Sequence, residues 1–268
     1  MYHKAYGIIE TLSPLHVGAT AGEESGNLNL IFRDQFTQTG IIPGSSIRGR
    51  FRAEMRRRDS DQANHWYGHE AEPGVRDSTT ESLVKFEYAS IIWLPVFCPG
   101  QPVVWVSCPR LLNRYKRISG ISDEVPDPYV ASHALHAPQI QGQSKLFFNF
   151  GFLQIGQKTH LTPWFPDGKE RPAVIVADDE MGMIHDMALY RQSRVKLSND
   201  EKKVEGGAFF NTEALPESTL LIFPMALRNE DDKDQWHPFG PNRQNEDELY
   251  LGGLESIGFG HCAITLNR

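Results

Sequence analysis

Four glycines crowd the chain's last loop, "LGGLESIGFGH": Gly252, Gly253, Gly258 and Gly260. Glycine removes the Cβ and admits positive φ, so backbone N–H groups in such a bend can converge on an anion. Near the other end, "IIPGSSIRGRFRAEMRRR" (41–58) packs six arginines behind a Pro43-Gly44 turn. Ser45 or Ser46 can cap a helix there over roughly 46–58. The unpaired amides of a helix start favour a negative group. Arg48, Arg52 and Arg56 recur along that helix and add charge-assisted bonds to phosphate. Lys196, Lys202 and Lys203, in "SRVKLSNDEKKVEGG", form a third basic group. Ser256 and Phe259, inside the glycine loop, complete the candidate binding set. Contacts of this kind hold a phosphate backbone without reading bases. Each feature alone has a plainer reading, as a bulged hairpin or a solvated helix face. Together, at the two ends of one chain, they point to an anionic polymer.

The other reactive residues point elsewhere or nowhere. His16 in "PLHVG" could act as an acid or base. It could equally end a strand and hydrogen-bond a loop, which is the preferred reading because no partner for a proton relay is evident. His133 and His136 have H-x-x-H spacing, but Pro138 and the surrounding composition argue against the helix that would make them a metal pair. Cys98, Cys108 and Cys262 show no C-x-x-C spacing, which leaves buried reduced thiols and no metal site. There is no P-loop, dinucleotide motif or nucleophile elbow, so no cofactor is expected.

These groups must be positioned by a fold. "AYGIIETLSPLHVG" alternates apolar and polar residues and reads as a first strand. Ile47, Phe51 and Met55 fall at i, i+4, i+8, so the arginine helix buries one narrow face. "ESLVKFEYASIIWLPV" and "GQPVVWVSCPRLL" predict two strands, Trp93 and Trp105 facing the core, followed by a short basic helix, "PRLLNRYKR". Residues 120–145 read as loop. "SKLFFNFGFLQI" is strand-like, its phenylalanines alternating between core and subunit contact, and "STLLIFPMALR" is a further strand. Between these two, Asn-Asp and Gly-Gly pairs suggest a long-armed hairpin. The acidic runs "RNEDDKDQ" and "QNEDELY" predict solvated loops. No repeat or linker divides the chain, so the expected fold is α+β, one antiparallel-sheet core with packed helices and large inserts, over 1–268.

Bulk properties set limits. The chain has 268 residues and a net charge of −7, which argues against coating duplex DNA by charge alone. Its longest apolar runs are too short to cross a bilayer, and its start lacks the apolar block of a signal peptide. A cytoplasmic protein with no membrane partner is the expectation.

"TLSPLHVG", "TGIIPGSSIRGRFRAEM" and "LGGLESIGFG", in that order, resemble the RAMP superfamily of CRISPR-associated proteins. "ESLVKFEYASIIWLPVFCPGQPVVWVSCPRLLNR" and "SRVKLSNDEKKVEGGAFFNTEALPESTLL" are similar to stretches of the filament-forming backbone subunits of type III-B (Cmr) effector complexes. The resemblance implies a ferredoxin-like (RRM-like) core with a protruding thumb hairpin at about 194–210. It implies copies stacked along a CRISPR guide RNA, complementary target RNA pairing between the thumbs, and other type III effector subunits as partners. Relatives commonly cut the target with an aspartate in the loop after the first strand. That position falls here at Leu28, between Asn27 and Asn29, and none of these can bind a hard cation as a charged ligand or act as a base near neutral pH. Glu23 and Glu24 lie earlier in the loop, and Asp34 is expected to pair locally. Where relatives carry Tyr-Glu-Glu-Tyr, this chain has Asn211, Thr212, Glu213 and Ala214. The expectation is a binding subunit without its own cutting centre. The alternatives are an active metal-dependent endoribonuclease acting on target RNA, and a guide-processing endoribonuclease using His16.

Overall fold

The alternation in "HKAYGIIET" becomes a strand because its even and odd side chains meet two different apolar layers. In a computed structural model, residues 2–18, 28–69, 79–149, 151–197, 204–228, 235–242 and 245–268 are described, with backbone alone at 28, 195–197 and 204–210. The first half comprises β1 (His3–Thr11), β2 (Leu28–Asn29), β3 (Ile41–Ile42), α1 (Gly44–Arg58) and α2 (Ser60–Tyr67). It continues through β4 (Val84–Phe86), β5 (Ala89–Cys98), β6 (Gln101–Ser107) and α3 (Pro109–Ser119). Next come β7 (Val130–Ser132), β8 (Gln139–Ile140), β9 (Gln143–Phe148), β10 (Gly151–Ile155), β11 (Gln157–Thr159), β12 (Ala173–Ile175) and α4 (Met181–Ala188). The chain closes with β13 (Tyr190–Leu197), β14 (Val204–Ala214), β15 (Leu220–Leu227), β16 (Glu246–Tyr250) and β17 (His261–Asn267).

Eleven strands form one mixed sheet in the order β11-β7-β12-β6-β5-β15-β1-β17-β16, with β3 beside β5 and β4 beside β15. The first and last long strands are therefore neighbours, paired antiparallel from Tyr6–Asn267 to Thr11–Cys262. Along β15, Leu221 and Phe223 join one apolar cluster while Leu220 and Ile222 join the other. The first cluster takes in Ile47, Phe51 and Met55 of α1, Trp66 and Tyr67 of α2, and Met181 and Ile184 of α4. The second holds Leu112 and Tyr115 of α3 with Trp164 and Phe165. Where β5 meets β15 the register slips, so Ile92 and Trp93 both face the second cluster. Trp93 stacks on Phe165 and donates its indole N–H to the Trp164 carbonyl at 2.7 Å. Trp105 is half-buried against that layer.

Several local expectations need correction. Helix α1 begins at Gly44, with Pro43 as its cap and no side-chain capping bond. Pro43 lends its carbonyl to the amides of Ser46 and Ile47. Ser45 and Ser46 thus lie inside the first turn, and neither caps it. "EDELY" is not a loop but the edge strand β16, paired with β17. The acidic run at 229–234 lies outside the described residues. Helices α2 and α4 were not anticipated: α2 is capped by the Asp59 side chain, which accepts from the Gln62 amide at 3.0 Å. "SKLFFNFGFLQI" is a hairpin, β9 with β10, rather than one strand. Phe148 is buried there, whereas Phe147 and Phe152 are exposed, and Phe150 lies outside the described residues.

Candidate nucleic-acid interface

Pairing of β1 with β17 brings the two candidate sites together. The glycine loop leaves β16, crosses beneath the end of β1 and returns into β17. Gly252 and Gly260 make that crossing possible. Both have positive φ, +76° and +87°, and a Cβ at either would lie 2.2 Å from the His16 carbonyl oxygen or 2.3 Å from that of Leu251. The loop is stitched to the first strand's exit by Gly253 N–H to the His16 carbonyl at 2.9 Å and Gly260 N–H to the Pro14 carbonyl at 2.9 Å. Gly258 N–H bonds the Glu255 carbonyl at 3.0 Å. These three amides are committed within the protein, so the glycines shape the bend rather than serving together as anion donors.

The bend and helix α1 enclose one cavity of about 400 Å³, lined by Val17, Gly18, Ser46, Gly49, Arg50, Ala53, Tyr250, Gly252, Gly253 and Glu255. Arg50 is the cation in this wall, and the sequence reading passed over it in favour of Arg48, Arg52 and Arg56. It is 25% exposed and lies between Glu54 at 2.6 Å and Glu255 at 3.6 Å. Its position one turn before Glu54, at i,i+4, was the signal available in the sequence. Arg48 instead donates to the Tyr67 carbonyl and ties α1 to α2. Arg52 is half-buried and Arg56 exposed, neither on the cavity wall. Ser45 and Ser256 are exposed. Phe259 is 3% exposed and packs edge-on against Tyr190 of β13, 5.9 Å between ring centres, which joins the loop to the base of the hairpin. Only the backbone is described at Lys196, and Lys202 and Lys203 lie outside the described residues.

The strands β13 and β14 pair antiparallel from Tyr190–Ala214 outward, with residues 198–203 outside the described residues. At their base, β2 runs parallel to β14, setting Leu28 beside Asn211 and Asn29 beside Thr212. Glu213, next in line, is buried. One of its oxygens accepts from Arg33 at 3.0 Å and the other from Arg191 at 3.1 and 3.2 Å. The Glu213 carbonyl takes a 2.7 Å bond from His16 Nδ1, so the His16 proton resides on that nitrogen. Arg33 also pairs with Asp186 of α4. Beside it the Gly40 amide donates to His185 Nε2 at 2.9 Å, which makes the buried His185 a neutral ring protonated at Nδ1. Burial pushes its pKa down. Asp34 binds the Phe36 and Thr37 amides and the Thr37 hydroxyl of its own turn, as expected.

The described residues at the base of the hairpin do not fit a catalytic cation, while Glu23, Glu24 and Asn27 lie outside the described residues. Leu28 and Asn29 bring no charge, and Glu213 is occupied by two guanidiniums. Among the described residues no group of three His, Cys, Asp or Glu could hold a metal. His133 and His160 pack ring to ring at 4.4 Å, with His136 on the surface. The three cysteines are buried and outside any disulfide, and burial pushes the Cys108 and Cys262 thiols up to about 12. No described helix is long and apolar enough to cross a membrane.

A sheet with its terminal strands side by side, a glycine bend stitched to the first and an arginine helix beside it define a class of protein. The chain matches the RAMP superfamily over residues 8–263 and belongs to it. Its α+β, ferredoxin-like fold is that of Cmr4 structures. It overlays on oligomeric Cmr4 from Pyrococcus furiosus with a TM-score of 0.68 and 19% identity, covering 98% of each chain. A second Cmr4 crystal structure gives 0.67 and 17%, covering 99% of each. A chain of the type III-B Cmr-β complex bound to cognate target RNA gives 0.73 and 17%, covering 98% of this chain and 97% of that one. No curated protein matches the chain.

Proposed function

We propose that this chain is the backbone subunit of a type III-like CRISPR effector, holding a guide RNA along its spacer and presenting it to complementary target RNA. The observation that carries this reading is the cavity shared by the glycine bend and α1, in a loop that the Phe259–Tyr190 ring contact joins to the base of the β13–β14 hairpin. An RNA backbone laid across that surface would meet Ser46, Arg50 and the open face of Gly253. Copies of the chain, stacked so that each hairpin divides the strand, would then leave segments of guide free to pair. The subunit binds without cutting: an amide and an alkyl side chain stand where relatives place a carboxylate, and Glu213 is already paired.

Glycine substitutions test it without disturbing the fold. A Cβ at Gly49 or Gly253 meets nothing within 4 Å. Gly49→Glu and Gly253→Glu therefore put a carboxylate into the cradle and should each weaken single-stranded RNA binding at least tenfold, read by fluorescence anisotropy, with the melting temperature unchanged. Unchanged affinity in both variants would remove the cradle from the RNA path. Complementary RNA incubated with the assembled complex and Mn²⁺ should stay intact, and a ladder of evenly spaced products would restore the endoribonuclease alternative.

A further inference from the structure

A second basic surface lies outside the cradle. Helix α3 carries Arg110, Arg114, Lys116 and Arg117 and no acidic residue. Against its first turns lies a cleft of about 190 Å³, walled by Asp34, Phe36 and Thr37 on one side and by Tyr88, Arg110 and Arg114 on the other. Phe36, at the tip of its turn, is 80% exposed. An aromatic ring in that position contributes nothing to the core and costs free energy in water.

The polar groups of the cleft divide into committed and available. The Asp34 carboxylate serves its own turn. The Arg114 guanidinium lies 4.1 Å over the Tyr88 ring, bonds the Ser90 hydroxyl at 2.9 Å and is 3.6 Å from Glu87. It thus holds the Tyr88 ring in place. Arg110 is different: its side chain is exposed and has no partner among the described residues, while its backbone amide is fixed by Asp178 at 2.9 Å. An anchored stem with an available guanidinium, beside an exposed ring and a ring held by a cation, matches what an unpaired nucleotide offers, a flat base and a phosphate. An acidic protein segment would satisfy Arg110 but has no use for the exposed Phe36 ring.

One wall of the cleft is linked to the start of α1. Gly44, at the start of α1, passes so close to the β4–β5 junction that a Cβ would be 2.5 Å from the Phe86 carbonyl oxygen, and Tyr88 follows two residues later. We infer that this cleft is a second RNA contact, taking one unpaired nucleotide with its base on Phe36 and its phosphate on Arg110. The inference rests on the RNA-binding reading above and adds a site to it.

The test uses the full chain and a single-stranded oligouridine carrying 5-iodouridine, cross-linked by light and mapped by mass spectrometry. Cross-links are expected on peptides containing Phe36 or Tyr88 as well as on the glycine loop. Phe36→Ala should abolish the first set and weaken binding roughly fivefold or more, the lower end of a lost stacking contact, and Phe36→Trp should restore both. Arg110→Glu should reduce the salt dependence of binding by a slope of about 0.7, one phosphate contact. Cross-links confined to the glycine loop, with affinity unmoved in Phe36→Ala and Arg110→Glu, would overturn the site while leaving the cradle intact. Absence of binding altogether would overturn both. If Arg110→Glu instead disrupts RNA-free association of the chain and leaves the cross-links unchanged, the cleft is a protein contact and the inference is wrong.

Discussion

His185 and Asp186 are adjacent residues with opposite relations to pH. His185 is buried with its Nε2 accepting from Gly40, and a second proton on that ring would face a donor. Its pKa is therefore held below the ordinary 6.5. Asp186 is kept ionised by the His185 ring 3.9 Å away and by Arg33, which hold its carboxyl down at about 2 against 3.8. Both groups bind protons more readily in the unfolded chain, so both make stability fall as the pH falls. The histidine contribution is complete above pH 6.5 and declines below it, whereas the aspartate contribution declines only between about pH 4 and 2. Urea unfolding at pH 7.5 and 5.5 should show a loss of stability in the native protein. His185→Gln, which retains an acceptor for the Gly40 amide, should flatten that difference, and an equal loss in the variant would reassign the titration. Glu213 is the other residue on which this cluster depends. Glu213→Ala would leave Arg33 and Arg191 facing each other over a buried gap, and a cost of about 2 kcal/mol in unfolding free energy is expected.

Among the elements, the glycine loop divides its residues between shaping the fold and leaving space. At Gly252 a methyl group collides with the backbone of His16, which cannot withdraw without breaking β1's exit, and the positive φ adds strain. Gly252→Ala should lower stability by about 2 kcal/mol and RNA affinity with it, whereas Gly253→Ala should leave the melting temperature where it is. Equal melting temperatures for the two variants would mean that the loop is not held by this close approach. Position in the loop mattered more than glycine content, and the sequence showed only content. The same limit explains the arginines. The spacing of Ile47, Phe51 and Met55 set the buried face of α1 correctly, because apolar periodicity is a property of the helix itself. Which guanidinium reaches the cavity depends on how α2 folds back on α1, which takes Arg48, and on Glu255 near the other end of the chain, and so Arg50 was missed. Helix α4 was illegible for a related reason: "MGMIHDMA" is eight residues with a glycine second, and packing on β5, rather than propensity, makes it helical. Strand β1 declared itself by alternation, whereas the edge strand β16 was hidden by its acids and the short β7 and β8, within 120–145, by a loop-like composition.

For the molecule as a whole, charge decides how copies and RNA come together. A chain of net charge −7 repels a polyanion everywhere except at its basic surfaces. Acid also marks the sheet's edge: β16 presents Glu246, Asp247 and Glu248, with Glu248 2.8 Å from His261. Like charges along an open edge oppose strand-to-strand joining, so β16 is poorly suited to pair with the same edge of another copy. On the proposed function, growth of an assembly depends on a strand of RNA that bridges copies and offsets their mutual repulsion. Without RNA the protein should sediment as short oligomers at low salt. With single-stranded RNAs of increasing length, the particle mass should rise in steps of one 30.3 kDa chain plus the RNA it covers. The steps should vanish with salt, because each phosphate contact contributes a slope of about −0.7 in log affinity against log salt. Analytical ultracentrifugation across an RNA length series separates this from the alternatives. Steps that persist in Gly253→Glu would show that RNA bridges copies by another surface, and a particle that remains one chain per RNA at every length would show that the fold binds RNA without building a filament.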